Sequence, residues 1–330
     1  EILGVEVQTP FRRMKWDDAM DTYGSDKPDT RFGMEMQNVT EIFKNTAFVP
    51  FANVIAEGGT IRAINAKGLA ELLTRKTIDK LVDVAKTYGA KGMAYTRITA
   101  DAVSSSFEKN LTEEEKNALH TALNAEVGDV LLLVSDAKRV TACTALGQVR
   151  LEIGRRANLM DPKQFNFLWV TDFPLFEYSE EEGRWVAMHH PFTMPTADSL
   201  DKVETDQGSC YADAYDIVLN GVELGGGSIR VNDPVLQDRM FKALGFTEEK
   251  ARASFGFLMD AYRYGAPPHG GMAYGLDRMV MLMLGRDSIR DVIAFPKVQN
   301  ASELMSGAPD VVDEKQLRDL SIAYVPQEKN

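Results

Sequence analysis

An α+β fold is predicted, built on an antiparallel sheet with helices on one side. Three observations carry that expectation. Short β-branched and aromatic runs are joined by hairpin signals, above all Asn220-Gly221 between Ala212 to Leu219 and Val222 onward. Helical segments follow the hairpins rather than alternating with single strands, which argues against a doubly wound parallel sheet. Residues 31–160 read as a self-contained α+β module, and the texture changes near residue 161.

The elements follow in chain order. Residues 75–88 place Ile78, Leu81, Val82, Ala85 and Tyr88 at helical spacing, and Gly89 follows at C′. Thr112 and Glu115 form a capping box ahead of a helix near 113–125. Val130-Leu131-Leu132-Leu133-Val134 reads as a buried strand. A helix near 138–156 carries Val140, Cys143, Leu146, Val149 and Ile153 on one face. Phe165 to Phe176 reads as a strand, the acidic run Glu180-Glu181-Glu182-Gly183 as a solvated turn, and Arg184 to His190 as the returning partner. Asn220-Gly221 then suits a type I′ turn, because both residues tolerate positive φ. Asp233 as N-cap, Pro234 at N1 and Gly245 as a stop bound one helix. A second begins after Thr247 and carries Phe255, Leu258, Met259 and Tyr262. A loop from Gly265 to Gly271 leads into a last apolar helix, with Leu276, Met279, Val280, Met283 and Leu284 at i, i+3, i+4, i+7, i+8.

The bulk numbers bound the function. At 330 residues the chain is long enough for more than one core, since domains run about 100 to 200 residues. Hydrophobic residues at 44% and charged residues at 26% are ordinary for a soluble globular protein. No apolar run approaches the roughly 20 residues of a membrane span, and Glu1 to Val5 has no signal-peptide pattern. Cys143 and Cys210 lie outside metal-ligand spacing and read as free thiols in a reducing compartment, the cytoplasm. The net charge of −12 argues against nonspecific coating of nucleic acid, while leaving room for a local basic patch.

Chemistry-bearing residues cluster after 180. In a two-residue hairpin Leu219 faces Val222 and Val218 faces Glu223, so Asp216 shares a face with Glu223 as a diagonal neighbour. Two such carboxylates could hold Mg²⁺, but from spacing alone a solvated face is the better reading. Gly225-Gly226-Gly227-Ser228 interrupts the second strand and calls for a bulge or a close approach to the backbone. Arg230 could grip a carboxylate bidentately or stand in water. Seven residues separate it from Glu223, so a regular strand would aim the two at opposite faces, whereas a bulge at the glycines would bring them together. His189-His190-Pro191 ends a strand, and a satisfied structural pair is the commoner reading. Arg278, beside Gly275-Leu276-Asp277 at a helix N-terminus, sits where an anion is favoured and a cation is not.

Together these segments resemble the bacterial-type aspartyl-tRNA synthetases. Gly275-Leu276-Asp277-Arg278 resembles motif 3 of class II aminoacyl-tRNA synthetases, and Ala187-Met188-His189-His190-Pro191-Phe192-Thr193 the histidine segment of the aspartate family. Glu223-Leu224-Gly225-Gly226-Gly227-Ser228-Ile229-Arg230 resembles its next active-site strand, and Tyr23-Gly24-Ser25-Asp26-Lys27-Pro28-Asp29 the stretch before its inserted domain. Gly89-Ala90-Lys91-Gly92-Met93-Ala94-Tyr95 resembles that insert, the GAD module, and Asp291-Val292-Ile293-Ala294-Phe295-Pro296-Lys297 the segment after motif 3.

The resemblance implies a class II synthetase-like antiparallel sheet with flanking helices, in two parts at 1–30 and 161–330, around a GAD-type α+β module at 31–160. It implies aspartate–tRNA ligase activity with ATP, L-aspartate and tRNA as partners and Mg²⁺ accompanying ATP. Arg230 would bind the aspartate side chain, with His189 helping to recognise that amino acid. Glu223, with Asp216 as a second candidate, would ligate the Mg²⁺, and that implication outweighs the solvated-face reading. Gly275, Leu276, Asp277 and Arg278 would hold ATP, with Arg278 and Glu223 the catalytic pair. The family's OB-fold anticodon domain, motif 1, motif 2 and Gln-rich segment are not visible. The chain is therefore expected to be a C-terminal part, inactive alone and monomeric, of a family that is homodimeric when complete. Proteases are expected to cut near 29–31 and 160–164. A competing reading is a non-catalytic module contacting tRNA or a partner protein, related to GAD-containing amidotransferase subunits. His189-His190 and the segment at 275–278 favour the synthetase.

Overall fold

Strand β1 (Arg12–Lys15) passes directly into helix α1 (Trp16–Tyr23), which buries Trp16, Ala19, Met20 and Tyr23 and ends at Gly24 in the left-handed region. The computed structural model describes residues 2–324. The chain forms two units, one through Tyr274 and one from Gly275 onward.

The next stretch builds a sheet of its own. It holds β2 (Gln37–Asn38), α2 (Val49–Ala56), β3 (Thr60–Ala66), α3 (Arg75–Thr87), β4 (Ala94–Ile98) and β5 (Val103–Ser105). It continues with α4 (Glu113–Ala122), β6 (Val130–Asp136) and α5 (Arg139–Arg156). The strands pair antiparallel in the order β2-β3-β6-β4-β5. Local signals act as read: Thr112 and Glu115 close a capping box on α4, and Gly89 adopts a φ of 90° after α3. Strand β6 is apolar from Val130 to Val134 because both its faces are covered there. Leu131 and Leu133 meet Phe43, Phe51 and Phe107, whereas Leu132 and Val134 meet α3 and α5 residues such as Leu81 and Leu146. Two helix positions differ from the periodicity: Tyr88 and Val140 are exposed, each lying at the end of its helix.

Strand β7 (Phe167–Pro174) returns to pair parallel with β1. That single parallel pair departs from the all-antiparallel expectation, and its reason is topological. Parallel neighbours need a long crossover, and the whole stretch between them supplies it. Next come β8 (Phe176–Ser179), β9 (Arg184–Ala187), β10 (Tyr211–Leu219), β11 (Val222–Ile229), α6 (Pro234–Ala243), α7 (Glu248–Arg263) and β12 (Gly270–Tyr274). The main sheet has the order β1-β7-β10-β11-β12, antiparallel from β7 onward. Among the described residues no strand between 31 and 160 joins it. One apolar core nevertheless runs from Ile64 and Leu132 through Leu146 and Met20 to Leu168, Val170 and Val218.

Three further sequence expectations are corrected here. The strand expected from Phe165 to Phe176 breaks at Pro174, and among the described residues β8 pairs only with β9, leaving His189 and His190 beyond that hairpin. Gly270 and Gly271, the end of the expected loop, open a strand that runs to Tyr274, since its pairing with β11 overrides two unfavourable glycines. In the second unit, α8 (Leu276–Met283) buries Met281, while Leu276 and Leu284 are 70% and 61% exposed. Apolar residues occupy every position from 279 to 284, so period alone could not select the buried face. A last helix, α9 (Glu314–Asp319), follows.

The two boundaries of the 31–160 segment differ in access. Asp29 is 2% exposed and its carboxylate is bound by Arg31, whereas residues 161–164 are exposed. Trypsin is expected to cut after Lys163 well before Arg31, read from the masses of early fragments. Early release of a fragment ending at Arg31 would contradict the burial.

Candidate active site

The site grows from the β10–β11 hairpin. Asn220 and Gly221 take φ of 52° and 84°, the type I′ turn that matches the twist of the strands. Leu219 faces Val222 and Val218 faces Glu223, but Ile217 faces Gly225, so Leu224 is an extra residue. This bulge lies one residue before the glycines, not within them as the sequence suggested. Asp216 therefore faces Gly226. Alternation from Gly226 through Ser228 carries Arg230 to the face of Asp216, the face that Glu223 also shares through Val218.

Each glycine of the triplet has a steric reason. A Cβ on Gly226 would lie 2.1 Å from Asp216 Oδ1. A Cβ on Gly225 would lie 2.2 Å from the Ala273 carbonyl oxygen, and one on Gly227 would lie 1.9 Å from that of Gly271. The middle glycine thus clears room for a carboxylate, and the flanking two admit the backbone of β12.

Charge concentrates on this face. Burial pushes the Asp216 carboxyl up to about 7, with Glu223 and then Asp26 adding to the rise and Lys27 opposing it. His189 sits edge-on to Phe173 at 5.1 Å between ring centres. Burial lowers its pKa, Glu223, Asp26 and Glu177 pull it back up, and Arg230 lowers it further. The pKa of His190 is lowered by burial and then by Arg230 and His189. Its Nδ1 accepts from the Phe192 N–H at 3.2 Å and from Arg230 Nη1 at 3.3 Å. The ring therefore carries its proton on Nε2.

Glu223 thus acts on both Asp216 and His189, and Arg230 acts on His189. Their neighbourhood adds residues to which sequence reasoning gave no role. His190, rather than His189, makes the hydrogen bond to Arg230. Asp26 and Lys27, paired at 3.3 Å, act electrostatically on Asp216, and Asp26 also acts on His189. The motif Tyr23 to Asp29 was visible in the sequence, but nothing local to it indicated that it meets β10.

The segment at 275–278 belongs to the second unit. Gly275 caps α8, Asp277 lies in its first turn, and the Arg278 side chain folds back over Gly275. Among the described residues no group of three or more His, Cys, Asp or Glu is disposed around one metal position. The Asp216–Glu223 pair offers oxygen ligands alone. Such a pair fits a hard cation that brings phosphate and water as its remaining ligands.

Comparison with known proteins places these features in context. A family profile described as tRNA synthetases class II (D, K and N) matches residues 1–299. An aspartate–tRNA ligase of Ruminiclostridium cellulolyticum is 57% identical over 328 residues, which is 99% of this chain and 55% of that protein. An aspartate–tRNA(Asp/Asn) ligase of Lachnoclostridium phytofermentans is 56% identical over 324 residues, covering 98% of this chain and 54% of its own length. One from Geobacillus sp. is 52% identical over 327 residues, 99% of this chain and 55% of that protein. The chain spans about half the length of the curated relatives it matches.

Proposed function

The chain belongs to the class II tRNA synthetases (D, K and N), and from that premise we propose that it serves an aspartate–tRNA ligase. The reaction activates L-aspartate with ATP and passes the aspartyl group to tRNA in the cytoplasm. One observation carries the reading: parity and the Leu224 bulge gather Asp216, Glu223 and Arg230 on one face, with both histidines beside Arg230.

In this reading Arg230 grips the aspartate side-chain carboxylate with two parallel hydrogen bonds. His190 Nδ1 orients the guanidinium, and Lys27 adds positive charge to the same face. His189, its pKa lowered by burial, stays a neutral hydrogen-bonding partner for the amino acid at pH 7. Glu223 and Asp216 would hold the Mg²⁺ accompanying ATP, which would supply charge neutralisation at the phosphates. Gly275, Leu276, Asp277 and Arg278 bind ATP, with Arg278 toward its phosphates. An aspartate α-carboxylate oxygen attacks the α-phosphorus, pyrophosphate leaves, and a tRNA hydroxyl then takes the aspartyl group as AMP departs. The residues act by positioning and by charge stabilisation. Residues 31–160 are an inserted module of the GAD type. Among the described residues no helix is long and apolar enough to cross a membrane.

Calorimetric titration of the chain with amino acids tests the substrate. L-Aspartate should bind on the order of a hundredfold more tightly than L-asparagine, because an amide cannot replace the second charge-assisted bond. Equal affinity for the two would remove aspartate from the reading.

The Asp216 carboxyl gives a pH signature. Its folded pKa, about 7, lies above its ordinary 3.8. Its contribution to stability is therefore fully present below the ordinary value and is lost as pH rises through 7. Cation binding has the opposite dependence, since the ligand must be ionised. Mg²⁺ affinity should rise roughly tenfold from pH 6 to pH 8, and Asp216→Asn should flatten the profile. Mn²⁺-induced proton relaxation measures it, and a flat wild-type profile would remove Asp216 from the cation site.

A further inference from the structure

The segment from Gly24 to Gly33 is a strap between two structures. It follows α1, carries Asp26 and Lys27 to the face of Asp216, and leads into the 31–160 segment. Helix α5, which belongs to that segment, holds both ends of the strap. At the near end α1 crosses α5 with almost no separation. A Cβ on Gly24 would lie 2.1 Å from the Cys143 carbonyl oxygen, and one on Gly147 would lie 2.6 Å from that of Tyr23. At the far end the Arg150 guanidinium donates to three backbone carbonyls. Nη2 reaches Asp29 at 3.0 Å, Phe32 at 2.6 Å and Gly33 at 2.8 Å, and Nε reaches Gly33 at 3.1 Å.

Arg150 is 1% exposed and lies between the rings of Tyr23 and Phe32, at 4.9 and 3.9 Å. The Phe32 ring in turn rests on Gly154, where a Cβ would be 2.7 Å away. The opposite side of the strap is seated on Asn166, just before β7, and on the turn of the hairpin that carries the acidic pair. Asn166 Nδ2 donates to the Thr30 carbonyl at 3.1 Å, and Gly221 approaches Asp29 so closely that a Cβ would lie 3.2 Å from it. A fully buried guanidinium whose hydrogen bonds go to carbonyls, in a strap next to a charged site, fixes backbone, while Asp29 and Glu35 act on it through space.

We infer that Arg150 is a positioning residue through which the 31–160 segment sets the strap presenting Asp26 and Lys27 to the Asp216–Glu223 face. The inference rests on the aspartate-site reading above. It makes the inserted segment part of the site's geometry rather than an appendage, because α5 touches the strap and the strap touches the hairpin turn.

The experiment uses the whole chain with Arg150→Met and Arg150→Lys. Two readouts are taken at a temperature where near-ultraviolet circular dichroism reports the variant folded. These are hydrogen exchange of peptides covering 25–33 and the affinity for L-aspartate by calorimetry. Arg150→Met should speed strap exchange and weaken L-aspartate binding, each by about tenfold, as expected for small misplacement of a binding group. Arg150→Lys, which keeps the charge but not the fork, should fall between it and the wild type. A merely structural arginine would lower the melting temperature and leave the affinity of the folded protein unchanged. Strap protection or L-aspartate affinity within about twofold of wild type in both variants overturns the inference. If Arg150→Met does not fold, Arg150→Lys decides on the same two readouts. If the wild type binds no L-aspartate, the functional reading fails, and strap exchange alone decides whether Arg150 positions the loop.

Discussion

Arg230→Ala should weaken L-aspartate binding on the order of a hundredfold while leaving the fold intact. The expected size follows from the bonds removed. A hydrogen bond to a charged group contributes about 1.5 to 3 kcal/mol, and two parallel ones to a carboxylate are lost together, against 1.4 kcal/mol per tenfold in affinity. The fold should tolerate the change because Arg230 is half-buried and its hydrogen-bond partner keeps another donor. His190 Nδ1 still accepts from the Phe192 N–H at 3.2 Å. Arg230→Lys should recover only part of the affinity, since an ammonium is a point charge and not a planar fork. Calorimetry with L-aspartate, beside thermal unfolding, reads both effects. An Arg230→Ala protein that binds L-aspartate as well as the wild type would exclude this residue from the substrate.

Two alanine substitutions one residue apart should fail in different ways. Gly227→Ala puts a Cβ 1.9 Å from the Gly271 carbonyl oxygen, which is backbone of the neighbouring strand and has nowhere to go. Strand β12 must separate from β11, so the expected cost is about 3 kcal/mol, at the upper end for overpacking. Gly226→Ala meets Asp216 Oδ1 at 2.1 Å, the end of a side chain that can rotate. Its stability loss should be about 1 kcal/mol, but the Asp216 carboxylate leaves its place opposite Gly226 and Mg²⁺ affinity should drop by about tenfold or more. Urea unfolding and Mn²⁺ relaxation on both variants separate the two outcomes. If both lose the same stability and neither changes cation binding, the carboxylate does not need the space that Gly226 leaves.

The legible parts of this chain share one property: their cause lies within a few residues. The Thr112–Glu115 capping box, the Asp233 cap on α6 and the Asn220-Gly221 turn each depend on a local φ or one short hydrogen bond, and each forms as read. The same holds for the pairing of Val218 with Glu223, because a two-residue turn fixes the first rungs of a hairpin. The buried run Val130–Val134 of β6 was legible for a related reason, since an unbroken apolar run has to be covered on both faces.

Beyond that range the sequence by itself determined less. It indicated that a bulge was needed to bring Arg230 to the side of Glu223, but not that Leu224 would supply it. That choice belongs to β10, which is held by β7 on one side and β11 on the other and shifts register against both. It could not make a strand of Gly270 to Tyr274, whose conformation comes from its partner and not from its composition. It marked Ser25, Asp26 and Lys27 as part of a motif, yet only the tertiary structure brings them to Asp216, by way of a strap that Arg150 and Gly147 hold from a distant helix. It named His189 and gave His190 no role, whereas His190 reaches Arg230 where the chain leaves β9 and bridges Thr193 to Arg230. Turn, cap and alternation act through bonds made within a few residues. Convergence of remote segments is settled by which surfaces pack, and the sequence of either segment alone does not contain that.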